Sequence, residues 1–358
     1  MYAVQNNKKY KIAIKICAPN SKVAIYSGDY LLALCLKQEF EKKGNPTIIQ
    51  CLNEWNDGKD SNCDTVIFLR GLRAYQPKKH HVNILWNISH PDNVPINEYN
   101  KYHFVLISSI KWAEIIKPKV KVPVEPMLQC TDLNMFKPFQ DESFRKELLF
   151  VGNSRGIYRK IIKDLLPTTR QLSVYGKNWG RLIDKRYIKG QNIPYSELHK
   201  YYGSCDILLN DHWDDMRKKG FINNRIFDGL ASEAFIISDH VSGIEDVFGQ
   251  SVVTYNSPKE LRELIDYYLA HPELRRQKAR EGAIIVQEHT YAKRVERLLE
   301  IIDHLHFRKK ITSKDPRNSP AFLKKNTTRS KPAPKNNPKT KQSSGKPIRR
   351  VNSRHWTM

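Results

Sequence analysis

Long apolar runs, paired cysteines and acidic charge are what this sequence has least of. No stretch of about 18 apolar residues occurs, and lysines break the one apolar run of the opening MYAVQNNKKYKIAIKICAPN, so neither a membrane span nor a signal peptide is expected. The six cysteines (Cys17, Cys35, Cys51, Cys63, Cys130 and Cys205) stand far apart, with no CxxC pair and no histidine at metal-ligand spacing. That excludes a zinc ribbon or a disulfide framework and makes a reducing cytosol the simplest home. No Asp-x-Asp pair lies in a loop suited to a divalent ion, because the acids of DHWDD have the wrong spacing. No tandem repeat is present at the 20 to 50 residue period of solenoids.

Acids are outnumbered, 37 against 61 Lys plus Arg, for a net charge of +24. The excess is concentrated at the C-terminus, where residues 308–358 carry sixteen Lys plus Arg and one acid, Asp315, a net of +15. This tail is also rich in Pro, Asn and Ser and nearly free of large apolar side chains, so it cannot bury enough surface to offset the entropy of ordering and is expected to be disordered. Such a polycation suits an anionic lipid surface, at about 1 kcal/mol for each nearby Lys or Arg, or the phosphates of a nucleic acid.

What is present, over the first 307 residues, is an alternation of short apolar strands with amphipathic helices, the pattern of parallel sheets covered on both faces. KIAIKIC, TIIQCL, DTVIFLR, VNILWNI and FVLISS read as strands of one doubly wound unit, with YLLALCLKQEFEKKG as a helix ending in Lys, Lys and Gly. VPVEPMLQCTDLNMFKPF has three prolines and no periodicity, and reads as an extended crossing. ELLFVG, QLSVYG, DILLN and SVVTY then restart the strands, with helices at IYRKIIKDLLP, YSELHKYYGSC and SPKELRELIDYYLAHP, the last opened by a capping box of Ser257, Pro258 and Glu260. A long amphipathic helix from about Thr290 to His306 ends the folded part. The expected division is therefore 1–139, 140–307 (including that helix) and the tail 308–358.

Two Rossmann-like halves joined by one linker make a cleft, and ligands of open parallel sheets bind beyond the carboxyl ends of the strands. Gly152, Asn153, Ser154, Arg155 and Gly156 follow the LLFVG strand, and Lys177 follows LSVYG. Glycine turns let backbone approach a ligand, and a following helix N-terminus favours phosphate, although similar turns join strands to helices throughout this fold class. In GFINNRIFDGLASEAFIISD, the apolar Ile226, Phe227, Leu230 and Ala231 form one stripe and leave Arg225 and Asp228 on another face. An arginine there suits a diphosphate, and a carboxylate suits a ribose diol; the plainer alternative is a local i,i+3 ion pair of roughly 0.2 to 0.5 kcal/mol. HWDDM reads as a cleft-lining loop with Trp213 against a sugar or base rather than as a metal site. Lys78, Lys79, His80 and His81 read as a solvated loop.

These pieces carry a resemblance. LLFVGNSRGIYR, LSVYGKNW, IPYSELHKYYGSCDILLN and GFINNRIFDGLASEAFIISD, in that order, resemble the donor-binding domain of GT-B glycosyltransferases, in particular the CgeB-like group named for spore-maturation proteins. YSGDYLLALCLKQEFEKKG resembles the acceptor-side loop and helix of that group, and LQCTDLNMFKP its interdomain crossing, so the likeness covers about residues 10 to 305. It implies an α/β fold of GT-B type, two Rossmann-like domains facing each other across a cleft. It further implies transfer of a sugar from a nucleotide-sugar, the co-substrate, to a glycan, lipid-linked or protein acceptor, with no other cofactor. Asp228 falls where the family's ribose-holding acid lies, with Asn224 beside the family's Asn and Arg, while Arg225, Lys177 and the Gly152 turn fall where the diphosphate is held. Three positions depart from the pattern: Asp228 replaces the commoner Glu, Gly220 stands where a partner acid is usual, and Glu233 where a small Gly is usual.

Fixed cations and a helix N-terminus stabilise a departing diphosphate without a metal, so metal independence is expected. If configuration inverts, the acceptor side must supply a base. Asp29, in the Gly28-Asp29-Tyr30 loop, and His90, in WNISHPD, are the candidates, with Asp92 a third; if configuration is retained, these residues need only bind substrate. The expected place is the cytoplasm, with the basic tail allowing peripheral contact at the inner membrane face and nucleic acid not expected as a partner. The competing reading is a catalytically degenerate protein of the same fold that binds nucleic acid or an anionic surface through its tail.

Overall fold

The computed structural model describes residues 8–24 and 28–314. Residues up to Phe307 pack as one compact unit built on two six-stranded, wholly parallel sheets. The strands of the first sheet are β1 (Ile12–Lys15), β2 (Thr47–Gln50), β3 (Thr65–Arg70), β4 (Val82–Asn87), β5 (Phe104–Ile107) and β6 (Val124–Pro126), in the order β2-β1-β3-β4-β5-β6. The central strands are buried along their whole length, which is why they read as unbroken apolar runs rather than as alternating patterns. The second sheet contains β7 (Leu148–Val151), β8 (Leu172–Tyr175), β9 (Ile188–Gly190), β10 (Ile207–Asn210), β11 (Ile236–Asp239) and β12 (Val252–Tyr255), in the order β12-β11-β10-β7-β8-β9. In each sheet the order reverses beside the first strand, so crevices open at the carboxyl ends of β1 and β3 and of β7 and β10.

Two strands were not anticipated. β6 lies inside the segment expected to be an irregular crossing, and β9 precedes the Tyr195 turn; each has three residues and lies at a sheet edge, too short to show a period. Ser257 caps the Pro258–Ala270 helix as expected, its Oγ accepting from Glu260 N at 3.2 Å, but the Glu260 carboxylate reaches one residue further back, to Asn256 N at 2.8 Å. The loop at 78–81 is not simply solvated. His81 is fully buried with Nε2 2.9 Å from Asp60 O, and Lys78 lies 2.7 Å from an Asp60 carboxylate that also holds the buried Lys15 at 3.0 Å.

The final helix, Tyr291–Lys314, follows the second sheet in sequence but packs on the first. Tyr291, Val295, Leu298, Ile301 and Ile302, at helical spacing, join the core formed by Ile12, Ile14, Leu36, Phe40 and Trp86. Arg294 donates to Leu128 O (2.8 Å) and Gln129 O (3.1 Å), and Arg297 forks onto Glu125. The chain thus crosses between the sheets twice. The crossings pair at Thr131 and Thr290, with Thr131 N donating to His289 O (3.0 Å) and Tyr291 N to Thr131 O (3.4 Å). The helix runs to Lys314, so residues 308–314, expected to be disordered, are helical; the rest of the basic tail lies outside the described residues. No helix among the described residues is long and apolar enough to cross a membrane.

Candidate active-site cleft

The turns that leave β7 and β8 are joined into one platform. Asn153 Oδ1 accepts from Lys177 N (2.7 Å), Ser154 N donates to Lys177 O (3.1 Å), and Ser154 Oγ donates to Asn178 O (2.6 Å). Trp179 Nε1 closes the platform by donating to Gly152 O at 2.8 Å. Two glycines make the approach possible: a Cβ on Gly176 would lie 2.2 Å from Gly152 O, and one on Gly152 would lie 2.7 Å from Arg225 Nη2. Arg155 has a φ of +56°, a left-handed conformation that non-glycine residues seldom adopt.

Three guanidiniums converge there. Arg225 extends from the Asn224–Ala231 helix, lies 4.9 Å over the Phe150 ring and donates from Nη1 to Asn210 Oδ1 at 2.6 Å. Arg159 is buried and forks onto the Asp211 carboxylate (Nε to Oδ2 3.1 Å), with Nη1 on Asn153 O at 3.2 Å. Arg155 and Arg159 sit 5.2 and 5.6 Å from the Trp213 ring. Among the described residues, Asp211 answers Arg159, but Arg155 and Arg225 have no carboxylate within ion-pair distance. Burial lowers the pKa of both, and the neighbouring Arg159 charge lowers it further. Such surplus positive charge is a strong attractor for an anion.

Asp228, on the same short helix, lies in different surroundings. No ion pair joins it to Arg225 among the described residues, so the local-pair reading of these charges does not hold. Its carboxylate is buried and turned to the interdomain crossing, with Oδ1 accepting from Thr131 Oγ1 (2.7 Å) and Oδ2 from Asn224 Nδ2 (3.0 Å). Burial pushes the Asp228 carboxyl up to about 7 against the opposing pull of those two donors. Asn224 Oδ1 beside it is buried without a hydrogen-bond partner.

The first sheet presents other chemistry. His90 stands at φ +50° before the Pro91–Asn93 turn, its Nδ1 3.8 Å from Asp215 Oδ2 and its ring 5.4 Å from Trp213 across the cleft. Burial lowers its pKa, which favours the neutral imidazole, and Asp215 pulls the other way. Asp29, in the first turn of the Gly28–Lys42 helix, has its pKa raised by burial, opposed by Arg155; a Cβ on Gly71 would lie 3.5 Å from its Oδ2. Gly28 opens that helix, and a Cβ there would meet nothing within 4 Å. Asp92, exposed, forms an ion pair with Lys219.

The structure therefore gathers Gly152, Asn153, Arg155, Lys177, Trp213 and Arg225 on one wall, sets His90 and Asp29 facing Arg155 and Trp213, and places Asn224 and Asp228 behind, at the crossing. Trp213 is already flanked by Arg155, Arg159 and His90, so it is a strut between the walls rather than an open stacking surface. His212 is structural: Nδ1 lies 2.7 Å from Asp239 Oδ1 and Nε2 accepts from Asn223 N at 3.1 Å. Among the described residues no group of three or more His, Cys, Asp or Glu is arranged to hold a metal. Sequence reasoning missed Arg159, Asp215 and Thr131. Arg159 is 52 residues from Asp211 and Thr131 is 97 from Asp228, so no local spacing marks either pair.

Residues 154–300, which carry most of this wall, match the family described as glycosyl transferase-like. Spore protein CgeB of Bacillus subtilis (strain 168) is 29% identical over 162 residues, which span 40% of this chain and half the length of that relative. The GT-B fold around the domain is shared with sucrose-phosphate synthase from Thermosynechococcus elongatus, at a TM-score of 0.64 and 9% identity over 83% of this chain and 100% of that one. It is shared too with Anabaena HepE in complex with UDP-glucose, at a TM-score of 0.56 and 11% identity over 81% of this chain and 99% of that one. The matched segment is thus similar to glycosyltransferases, and the fold is the GT-B fold that these enzymes share.

Proposed function

We propose that the protein transfers a sugar from a nucleotide-sugar to a glycan or other surface-polymer acceptor, without a metal. The observation that carries this reading is the pair of guanidiniums, exposed Arg155 and half-buried Arg225, that lack carboxylate partners among the described residues and lie at the carboxyl ends of β7 and β10. A nucleoside diphosphate laid along the Gly152–Lys177 platform places its phosphates against them and its ribose toward Asn224 and Asp228. The sugar then points from the diphosphate toward the Asp29 and His90 wall. As the glycosidic bond breaks, negative charge grows on the leaving diphosphate, where two fixed cations already point; preorganised charge of this kind lowers the barrier without reorganisation. Neutral His90 receives the proton of the incoming hydroxyl, the Asp215 carboxylate stabilises the imidazolium that results, and Asp29 orients the hydroxyl.

The UDP-glucose held by Anabaena HepE makes UDP the first nucleotide to try. The test is calorimetric titration of a panel of nucleoside diphosphates and their sugars into the full chain in EDTA, repeated with Asp228→Ala. One nucleotide is expected to bind tightly and to lose at least about tenfold in the variant, the cost of about one hydrogen bond to a charged group. A well-folded protein silent across the panel, or binding only after a divalent ion is restored, contradicts the proposal. The site is expected to work at the cytoplasmic face of a membrane, where surface polymers are begun.

A further inference from the structure

We infer that Thr131, in the interdomain crossing, is a positioning residue for Asp228: its hydroxyl holds the carboxylate ready for the nucleotide and sets the pH below which nucleotide binding is lost. The inference rests on the donor-site reading above and deepens it. Thr131 is fully buried, and its Oγ1 donates to Asp228 Oδ1 at 2.7 Å. Its backbone is fixed on both sides, N to His289 O at 3.0 Å and O from Tyr291 N at 3.4 Å, so the hydroxyl has little freedom to follow the carboxylate elsewhere. Each Asp228 oxygen accepts one bond, Oδ1 from Thr131 and Oδ2 from Asn224, which leaves on each oxygen a lone pair for one hydroxyl of a ribose diol.

The surroundings explain why one hydroxyl matters. On its own helix Asp228 has Arg225, whose charge favours the ionised form, and on the crossing it has Asp132, whose charge opposes it. The groups facing it from other elements are Cys35 of the Gly28–Lys42 helix, Cys130 of the crossing, Tyr291 of the final helix, and the phenols Tyr195 and Tyr202. Their raised pKa values favour the neutral thiol and phenol, and neither type of group can supply a compensating cation. Ionisation of Asp228 therefore depends on its two hydrogen-bond donors and on Arg225. A diol donates to a carboxylate and not to a carboxylic acid's hydroxyl, so losing a donor moves the ionised form, and with it nucleotide affinity, to higher pH.

The experiment is calorimetric titration of UDP, or of whichever nucleoside diphosphate the panel selects, from pH 5.5 to 8.5 into the wild-type chain, Thr131→Val, Thr131→Ser and Asp228→Ala. The wild type is expected to lose affinity as pH falls through about 7. Thr131→Val keeps the shape but cannot donate, and its midpoint is expected to rise by roughly half to one pH unit; Thr131→Ser restores the wild-type midpoint. A merely structural role lowers the melting temperature of Thr131→Val and leaves the midpoint where it was, and that result overturns the inference. If Asp228→Ala binds the nucleotide as tightly as the wild type at every pH, the donor-site reading itself fails. Should Thr131→Val not fold, the inference stands or falls on Thr131→Ser, whose midpoint must match the wild type, and on Asn224→Ala, which removes the other donor and must shift the midpoint upward.

Discussion

The carboxyl ends of the two sheets face each other and carry opposite chemistry. On the second sheet the turns after β7 and β8 are cross-linked by side-chain bonds and surrounded by Arg155, Arg159 and Arg225, with one carboxylate, Asp211, in answer. On the first sheet the segments after β1 and β4 carry Asp29 and His90, and the turns after β3 and β4 are held by one buried arginine. Arg70 forks onto Glu98 and donates to Gly71 O (2.6 Å) and Asn93 O (2.5 Å). The difference shows how one fold type divides its labour: a rigid cationic wall suits a leaving group whose charge is large and fixed, and a wall of weak acid and base suits a proton that must move.

Separating the two walls by mutation is the sharpest test of that division. The largest effect is expected for His90→Gln, which leaves the cationic wall whole. Transfer should fall by roughly 10² to 10⁴, the usual worth of a general base, while the nucleotide dissociation constant changes less than about twofold; a parallel loss of nucleotide affinity would merge the two walls into one. Next is Arg225→Ala, which should weaken nucleoside diphosphate binding by about 10- to 100-fold, since a charge-assisted bond contributes roughly 1.5 to 3 kcal/mol. Arg225→Lys should recover only part of it, because an ammonium cannot both fork onto phosphate and lie over the Phe150 ring.

Stability provides a finer test. The pKa of Asp228, raised to about 7 in the folded chain, exceeds its value of about 3.9 when unfolded. The folded state therefore holds this proton more tightly, and the stability it lends is fully present below about pH 4 and lost as pH rises through about 7. Asp228→Asn is free of that dependence, and its unpartnered neighbour Asn224 Oδ1 can accept from the new amide after a flip. By thermal melting at a series of pH values, the variant should gain on the wild type by roughly 2 to 4 °C between pH 5 and pH 8; a constant difference would mean that Asp228 is ionised in the fold throughout. The smallest effect is expected for Asp92→Asn, whose partner Lys219 is held by the Trp112 ring at 4.5 Å as well. Exposed pairs contribute little, and transfer should change less than about twofold.

Much of this molecule was legible before its structure. The buried strands β3 and β4 announce themselves as TVIFLR and VNILWN, and the Asn224–Ala231 helix by its apolar stripe, because in both cases burial is written into neighbouring residues. The positions of Gly152 and Lys177 followed from the rule that ligands lie beyond strand ends, and Arg225 stood out by falling off the apolar stripe of its helix. What could not be read is whatever depends on two distant segments meeting. The sequence offers Asp228 a partner three residues away in Arg225, yet the fold supplies one 97 residues away in Thr131. Trp213 reads as a sugar platform until Arg155 and Arg159, from the segment that follows β7, are seen against it. The final helix continues its neighbours' domain in sequence but buries its stripe on the first sheet, a choice of partner that an amphipathic pattern does not contain.

The cationic wall as a diphosphate site is the claim on which the rest depends. It is tested most directly by titrating UDP and UMP, in EDTA, into the wild-type chain and into Arg225→Ala. UDP should bind the wild type at least about tenfold more tightly than UMP, the worth of one charge-assisted contact to the second phosphate, and this gap should collapse in the variant. Equal affinity of the two nucleotides for the wild type, or a gap that survives the loss of Arg225, would contradict it.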